Sequence, residues 1–265
     1  MIMDRSHAAA EFLLDLRRTK RTSGTLPAEA MPRSHEEAYR AQAALVQKLL
    51  DQSKGQTIGY KAAATNEAAQ KLLQVDAPFF GHLLSSSSFQ SPASLPAKDF
   101  TVRVVEAEFG FEIGTDVPRR NDAYTKDSIA EFVAAVIPAI EIVDHRFHDW
   151  TAVGAASLIA DNAIHGAWIA GDPVLDWRGT DLSLQAVSVA VNGEVIRTGS
   201  GAAVLGHPLN VVAWLANELP RFGLQLRRGD KLTTGTAAPV YTANPDDRIV
   251  ADFGRFGRVE VYLEQ

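Results

Sequence analysis

The sequence predicts an α+β fold in which a helical N-terminal lobe precedes a body made mainly of strands. Apolar residues recur at helical spacing through the first seventy or so positions. From Phe100 onward the pattern changes to a two-residue alternation, which is clearest in TVRVVEAEFGFEI, residues 101–113. Helices and strands do not alternate regularly as they would in a parallel α/β fold. We therefore predict a lobe over residues 1–77 and a body over residues 78–265.

The N-terminal lobe begins with two predicted helices. The first covers the Ala/Leu-rich residues 7–18 and ends before the breaker Pro27. The second begins at Ser34, because Ser34 and Glu37 have the spacing of a capping box, in which each side chain accepts a hydrogen bond from a free backbone N–H. Apolar residues then recur at helical spacing along this second helix.

The lobe continues with a short strand and a third helix. Residues 57–61 form the predicted strand, and either Thr65 or Asn66 caps a helix that ends near Leu73. Pro78 and a serine-rich loop then interrupt the pattern. This interruption is the basis for the predicted boundary between lobe and body.

The body is predicted to consist of strands and a few helices, separated by turns rich in Gly, Pro and Asp. An Asn-Gly pair favours a tight hairpin because both residues tolerate positive φ, and proline is favoured in the first turn of a helix. In chain order we predict a strand at 101–113, a helix at 125–136, a strand at 137–143, a hairpin at 188–196 around Asn192-Gly193, a helix from Pro208 to near Gly223, and several short terminal strands.

Composition restricts the possible functions. The chain has 265 residues, of which 46% are hydrophobic, and its formal net charge is −6. A globular protein of this length buries a substantial core. The absence of cysteine excludes disulfides, thiolate metal sites and a cysteine nucleophile. The acidic balance argues against general nucleic-acid binding, which needs a basic surface. We therefore expect a small-molecule partner.

Neither a membrane segment nor a signal peptide is expected. The longest apolar run, residues 132–140, is nine residues long, whereas a membrane-spanning helix needs about 20. Asp4, Glu11 and Asp15 interrupt any apolar region near the N-terminus. We expect a cytoplasmic protein.

Two glutamates on the strand at 101–113 are the strongest candidates for chemistry. Alternation places Glu106 and Glu108 on one face, with Cα atoms about 7 Å apart. Burying both without a cation is costly, because the desolvation of each unpaired charge costs several kcal/mol of free energy. A hard divalent ion such as Mg²⁺ or Mn²⁺ would remove this conflict. The alternative is that both glutamates lie at a solvent-exposed end of the strand.

Other polar residues also lie in apolar surroundings. Glu141, between two isoleucines in a predicted strand, is either a third carboxylate of the same site or the partner of an arginine. Lys61 ends the segment TIGYK, and Asn162 lies within LIADNAI. A rival metal site is the D-H-x-x-H-D cluster at 144–149, although such histidines are more often hydrogen-bonded surface groups.

At these residues the sequence resembles the fumarylacetoacetate hydrolase-like superfamily. Within it, the chain is similar to the group of 2-keto-4-pentenoate (2-hydroxypenta-2,4-dienoate) hydratases and 4-oxalocrotonate decarboxylases. The resemblance covers most of the chain. It rests on GYK at 59–61, P-x-F-G at 78–81, VEAEFGFEIG at 105–114, AIEIVDHR at 139–146, LIADNA at 158–163, TGSGAAVLGHPLNVVAWLANEL at 198–219 and the closing segment 232–261.

The resemblance implies a site and a fold. The family's metal-binding glutamates correspond to Glu106, Glu108 and Glu141, its lysine to Lys61, and its polar turn near the substrate to the segment ending in Thr236. A mixed β-roll or sandwich body with a helical N-terminal lobe is implied, as is a Mg²⁺ or Mn²⁺ ion. So is a cytoplasmic homo-oligomer, which can associate with a related enzyme.

The implied activity is that of a metal-dependent lyase acting on a 2-oxo acid or its enol. We expect it to add water to a 2-hydroxy-2,4-dienoate from aromatic or steroid catabolism, with Lys61 as proton donor if desolvation lowers its pKa, and with Thr236 and Asn162 orienting the substrate. Many of the hydratases carry an acid where this chain has Phe79, a predicted pocket residue, and the loss of that acid is the argument for decarboxylation. The alternatives are decarboxylation of 4-oxalocrotonate, hydrolysis of an acylpyruvate, and a noncatalytic subunit that partners an active relative.

Overall fold

The computed structural model describes residues 4–265, so the first three residues of the predicted lobe lie outside the described residues. It confirms the α+β class. The helices are Arg5–Thr19 (α1), His35–Ser53 (α2), Glu67–Leu73 (α3), Lys126–Ile129 (α4), Ala155–Ala160 (α5) and Pro208–Glu218 (α6). The strands are Thr57–Ala63 (β1), Phe79–Leu84 (β2), Ser88–Gln90 (β3), Ala93–Pro96 (β4), Val104–Ile113 (β5), Val133–Val143 (β6), His165–Ala170 (β7), Ala186–Val191 (β8), Glu194–Ser200 (β9), Lys231–Thr236 (β10), Tyr241–Thr242 (β11), Arg248–Asp252 (β12) and Arg258–Glu264 (β13). Over residues 4–265, none of the helices is both long and apolar enough to cross a membrane.

The strands form two mixed sheets that pack against each other. The larger has the order β2-β1-β10-β5-β6-β7-β3, with β11 also pairing with β5, and the smaller has the order β4-β13-β12-β8-β9. Their inner faces supply a continuous apolar core. Within it, the ring of Phe109 on β5 lies edge-on to Phe253, with ring centroids 5.2 Å apart. This packing confirms the sandwich body that we expected.

Local signals explain where the N-terminal helices begin. The Ser34 hydroxyl accepts a hydrogen bond from the Glu37 N–H at 3.2 Å, as predicted for the cap of α2. The Glu37 carboxylate accepts instead from the Arg33 N–H at 2.8 Å, so only half of the capping box forms. For α3 the cap is Asn66 and not Thr65, because the Asn66 side chain accepts from the Ala69 N–H at 2.8 Å.

Two predictions for the C-terminal half are confirmed. Asn192 and Gly193 have φ angles of 53° and 89°, and they form the turn between β8 and β9. Pro208 occupies the first turn of α6. A short 3₁₀ segment extends that helix to Gly223, where a φ of 75° ends it.

The helix predicted over residues 125–136 is wrong beyond its first part. Only α4 forms an α-helix there, followed by one 3₁₀ turn, and β6 begins at Val133 instead of residue 137. Residues from Val133 onward pair with β5 on one side. On the other side, Val136 and Val174 exchange two backbone hydrogen bonds, of 3.1 and 2.8 Å. Sheet pairing of β-branched residues therefore overrides the helical pattern.

Strand β1 links the lobe segment to the body. It precedes residue 78, yet it pairs antiparallel with β2 and parallel with β10 in the larger sheet. The segment 1–77 therefore contributes a strand as well as helices. The division into two domains at this position stays a prediction.

A buried ion-pair network fastens α1 to the body. Arg17 on α1 lies 2.9 Å from the Asp161 carboxylate, whose other oxygen lies 2.7 Å from Arg146. Arg146 also lies 2.8 Å from Asp144. Removing one member of such a network leaves an uncompensated buried charge. The network thus fixes α1 next to the end of α5 and the start of β7.

Candidate active site

The structure brings the three predicted glutamates together. Glu106 on β5 and Glu141 on β6 are direct partners in the antiparallel pairing, and Glu108 lies two residues further along β5 on the same face. One oxygen from each carboxylate lies within 4.8 Å of the others. Glu108 and Glu141 are fully buried, and Glu106 is half-buried. The alternative of an exposed strand end is therefore wrong.

Glu141 is partnered by a lysine and a histidine, not by an arginine. Its Oε1 accepts hydrogen bonds from Lys61 Nζ and from His165 Nδ1, each at 2.8 Å. Glu108 accepts a hydrogen bond from the Thr233 hydroxyl with one oxygen. The remaining oxygens, Glu108 Oε1 and Glu141 Oε2, are buried and have no hydrogen-bond partner among the described residues. Buried carboxylate oxygens without partners are costly, so these two atoms point to a missing ligand.

The charges of the trio conflict with one another. Burial and the neighbouring Glu141 raise the pKa of Glu106, and burial together with Glu141 and Glu106 raises the pKa of Glu108 well above its ordinary value. Burial alone would also raise the pKa of Glu141, but Lys61 and His165 outweigh it and lower this pKa to about 2. One lysine thus faces three carboxylates. Hard oxygen donors with excess negative charge fit a divalent ion such as Mg²⁺ or Mn²⁺.

The pKa of Lys61 is not lowered, so the condition under which we expected it to donate a proton is not met. Burial lowers this pKa, but the attraction of Glu141, Glu106 and Glu108 outweighs burial and raises the pKa of Lys61 above its ordinary value. Desolvation thus does not prepare this side chain as a neutral amine. Lys61 holds its proton and gives the site a positive charge beside the carboxylates.

A cavity of about 640 Å³ opens onto this site. Lys61 and Glu106 lie in its wall, together with Phe79 and Thr236 as predicted. Thr236 is the partner of Glu108 in the pairing of β10 with β5, and its hydroxyl donates to the Ala238 carbonyl. The other apolar side chains of the wall are Ala63, Ala64, Ala68, Ala69, Leu72, Leu73, Val104, Val143, Trp150, Ile164, Ala203, Ala237, Ala238, Pro239 and Val240.

The polar turn beside the cavity requires glycine. Gly235 has a φ of 86°, and a Cβ at this position would lie 2.0 Å from the Thr65 hydroxyl oxygen. Only glycine combines this backbone conformation with so close an approach. The turn therefore packs Gly235 against Thr65, and both residues line the cavity with Thr236.

Asn162 does not line this cavity. Its side-chain oxygen accepts from the His82 N–H at 2.8 Å, and its amide donates to the His82 carbonyl at 2.9 Å. It lies in the wall of a separate pocket, together with Arg17 and His165. Asn162 thus joins β2 to the segment after α5, and we leave it out of the proposed substrate contacts.

The rival histidine cluster is not assembled into a metal site. His145 stacks on Trp150 with ring centroids 5.9 Å apart, His148 is exposed, and Asp144 pairs with Arg146. Within residues 4–265, the glutamate trio is the one group of three or more potential ligands close enough to share an ion.

Sequence reasoning missed His165. The residue begins the apolar segment HGAWIA, and that pattern alone does not reveal which side chain it meets. Its contact with Glu141 depends on the irregular register between β6 and β7. A polar residue at the start of an apolar strand was the only signal available.

Comparisons with known proteins agree with this geometry. Residues 54–263 match the fumarylacetoacetate (FAA) hydrolase C-terminal family. The chain is 34% identical over 229 residues to 2-keto-4-pentenoate hydratase of Paraburkholderia xenovorans (strain LB400), covering 86% of this chain and 84% of the relative. It is 32% identical over 238 residues to 2-hydroxyhexa-2,4-dienoate hydratase of Comamonas testosteroni, covering 89% of each.

Two solved structures are also similar. One is 4-oxalocrotonate decarboxylase from Pseudomonas putida G7, complexed with magnesium and adipate, with a TM-score of 0.89, 25% identity and 97% of each chain covered. The other is fumarylpyruvate hydrolase from Pseudomonas aeruginosa in complex with Mn²⁺ and pyruvate. Its TM-score is 0.58 at 16% identity, covering 77% of this chain and 88% of that one, so it shows a shared fold only.

Proposed function

Because this chain belongs to the fumarylacetoacetate hydrolase family, we propose that it is a divalent-metal-dependent hydro-lyase. Its reaction is the addition of water to a 2-hydroxy-2,4-dienoate or the tautomeric 2-oxo-4-enoate, in the breakdown of aromatic or steroid rings. Two relatives that align with most of this chain are named hydratases, and they support this reaction. The observation that carries the proposal is the buried trio of carboxylates beside a cavity of about 640 Å³.

Glu106, Glu108 and Glu141 would hold the ion, either Mg²⁺ or Mn²⁺. The support is chemical: all three offer carboxylate oxygens, and two buried oxygens have no partner among the residues described. When bound, the ion supplies positive charge and Lewis acidity for the carboxylate and the adjacent 2-oxygen of the substrate. Lys61 and His165 both donate hydrogen bonds to Glu141 Oε1, so Oε2 of the same carboxylate would be left for the ion.

Lys61 is the proposed proton carrier. In the hydration, the water oxygen bonds to C4 and keeps one of its two protons, and the 2-hydroxyl loses its proton to become the 2-oxo group. One proton is added at C5 and one at C3. These two are accounted for by the proton from the 2-hydroxyl and the second proton of the water. Apart from Glu106, Lys61 is the one titratable side chain in the described cavity wall, and it holds its proton in the folded protein. Positioned acids and bases of this kind contribute roughly 10²–10⁴-fold to rate.

Decarboxylation of a 2-oxo dicarboxylate is the second candidate, and Phe79 favours it. A buried phenylalanine at this point of the wall provides an apolar surface that keeps water from an enolate. The similar decarboxylase structure supports the same reading. We favour hydration, since Lys61 and Thr236 remain in the wall to assist a water molecule.

The test is an ultraviolet assay in ¹⁸O-labelled water with Mg²⁺ or Mn²⁺, followed by mass spectrometry. We expect 2-hydroxypenta-2,4-dienoate to give 4-hydroxy-2-oxopentanoate with label on the C4 oxygen. Fragmentation must locate the label, because the 2-oxo oxygen exchanges with water on its own. Release of carbon dioxide from 4-oxalocrotonate without a labelled hydroxyl product would favour the decarboxylase. Absence of both reactions would favour the acylpyruvate hydrolase or the noncatalytic subunit.

The metal assignment has a separate test. Glu108→Gln removes one negative charge from the trio, so Mn²⁺ affinity measured by calorimetry should fall while the melting temperature is maintained. His145→Ala is the control, because His145 stacks on Trp150 and is not among the side chains close enough to share the ion. An unchanged affinity in Glu108→Gln would contradict the assignment.

We also propose that the chain forms a homo-oligomer, alone or together with a related enzyme. Light scattering of the same samples measures the mass of the assembly.

A further inference from the structure

The cavity has a charged inner end and an apolar mouth. At the inner end, Lys61 is 1% exposed and Glu141 is fully buried. Leu72 on α3 and Val240 between β10 and β11 also line the cavity, yet they are 51% and 43% exposed. Because exposure rises from one set to the other, the cavity runs from the glutamate trio outward to these two side chains. The outer end of the cavity is therefore lined by apolar side chains.

The wall offers no cation for a second carboxylate. Among the described lining residues, Lys61 is the sole positive side chain, and it is engaged by Glu141. Arg197 on β9 approaches the mouth, but its Nε and one terminal nitrogen donate to the backbone carbonyls of Val240 and Ile196 at 3.3 and 2.9 Å. A carboxylate placed among the outer residues would therefore meet apolar side chains and no cation of the cavity lining.

The space exceeds what a five-carbon substrate needs. Cavities of roughly 300–1,000 Å³ hold drug-sized ligands, and this one has about 640 Å³. Phe79 is 3% exposed, and with Val143, Trp150 and Ile164 it makes the wall between the two ends largely apolar. An apolar wall that leads from a charged end to an apolar rim suits a substrate with one anionic head and an apolar tail.

We propose that the enzyme selects dienoates with a single carboxylate and an alkyl or aryl tail, which packs against Leu72 and Val240. This inference rests on the proposed function, and it specifies the substrate class. Each methylene of the tail that is buried should raise kcat/KM about 4-fold. A terminal carboxylate on the same tail should remove that gain.

The experiment compares three substrates under the same metal concentration: 2-hydroxypenta-2,4-dienoate, 2-hydroxyocta-2,4-dienoate and 2-hydroxyocta-2,4-dienedioate. We expect kcat/KM for the octadienoate to exceed that for the pentadienoate about 10-fold or more. The dienedioate should be the poorest of the three. A dienedioate as good as the octadienoate would overturn the inference.

A variant supplies the missing cation. Leu72→Arg should lower the ratio of kcat/KM for octadienoate over dienedioate about 10-fold, since the new guanidinium attracts the terminal carboxylate. Leu184→Arg is the matched control, because Leu184 is 78% exposed and lies outside the cavity wall. If Leu72→Arg does not fold, Val240→Arg carries the same test. An unchanged ratio, or the same change in the control, would contradict the inference.

Failure of the proposed function and failure of the tail site give different results. If none of the three substrates is hydrated, the proposed function is wrong. If the pentadienoate is hydrated but the tail brings no gain, the proposed function stands and only the tail site is wrong. Hydration with the predicted order of kcat/KM supports both.

Discussion

Glu141 is the residue on which the site's contacts converge. One of its oxygens accepts from both Lys61 and His165, while its strand partner is Glu106. Burial lowers the pKa of His165 despite the attraction of Glu141, so the imidazole is neutral. Its Nδ1 faces the carboxylate and therefore carries the N–H. His165 thus acts as a fixed donor that orients Glu141, as hydrogen bonds to metal-binding side chains commonly do.

Two substitutions of His165 test this orientation. The amide of Asn reaches close to the position of Nδ1, so His165→Asn should keep most of the Mn²⁺ affinity. Phenylalanine fills the space without donating, so His165→Phe should weaken Mn²⁺ binding about 10- to 100-fold. Calorimetry and the Mn²⁺ electron paramagnetic resonance spectrum measure the difference. Equal losses in both variants would show that the residue matters only for packing.

Lys61→Met keeps the aliphatic stem and removes the ammonium group. We expect kcat to fall about 100-fold or more, because a positioned proton carrier is lost. Lys231→Met is the control, since Lys231 pairs with Glu112 and lies outside the cavity wall. A rise in KM with little change in kcat would instead assign Lys61 a role in binding only. A variant equal to wild type in both parameters would place Lys61 outside the site.

At the scale of residues, the sequence predicted that the three glutamates lie together and missed His165, which contacts one of them. Alternation along one strand placed Glu106 and Glu108 on one face, and apolar neighbours predicted that Glu141 is buried. The sequence left open whether burial or the carboxylates would dominate the pKa of Lys61, because that balance depends on how many carboxylates the fold brings near it. His165 and the real position of Asn162 depend on long-range pairing, which no local pattern encodes.

Among the secondary-structure elements, those with strong local signals were predicted best. Capping residues marked α2 and α3, and an Asn-Gly turn marked the β8–β9 hairpin. The missed elements are short: β2, α5 and β7 have six residues each, β3 has three and β4 has four. Such short buried segments are apolar along most of their length, so their hydrophobic periodicity does not distinguish a strand from a helix.

The cap of α3 should affect substrate binding. Asn66→Ala removes the hydrogen bond to the Ala69 N–H, which destabilises the start of the helix by about 1 kcal/mol. Because α3 carries Leu72 and Leu73 of the cavity wall, we expect KM to rise several-fold with little change in kcat. Steady-state kinetics measure both. Asn66→Ser retains a capping oxygen, and a loss as large as in Asn66→Ala would show that the amide, not the cap, matters.

The stability of the whole molecule should depend on pH through His82. Its ring lies 5.2 Å from that of Tyr60 and 6.2 Å from that of Phe80, measured between centroids. Burial lowers its pKa from 6.5 to about 4. Between these values the unfolded chain holds a proton that the folded protein lacks, so stability rises with pH across this window and falls on acidification.

His82→Phe should remove this contribution. The difference in the free energy of unfolding between pH 7.5 and pH 4.5 should shrink by at most about 2.5 kcal/mol. Urea unfolding at the two pH values measures it. His7→Phe serves as the control, because the His7 side chain is 64% exposed. An acid sensitivity that is identical in wild type and His82→Phe would contradict the role of His82.

The intrinsic fluorescence of Trp150 should report binding in the cavity. Trp150 is the one tryptophan in the described wall of the cavity, and its ring stacks on His145. Trp168 and Trp177 are buried elsewhere, and Trp214 borders a different pocket. A compound that enters the cavity changes the polarity around Trp150 alone, so intrinsic fluorescence follows occupancy without any label. The affinities of unreactive analogues then become measurable in the inactive variants, where turnover gives no signal.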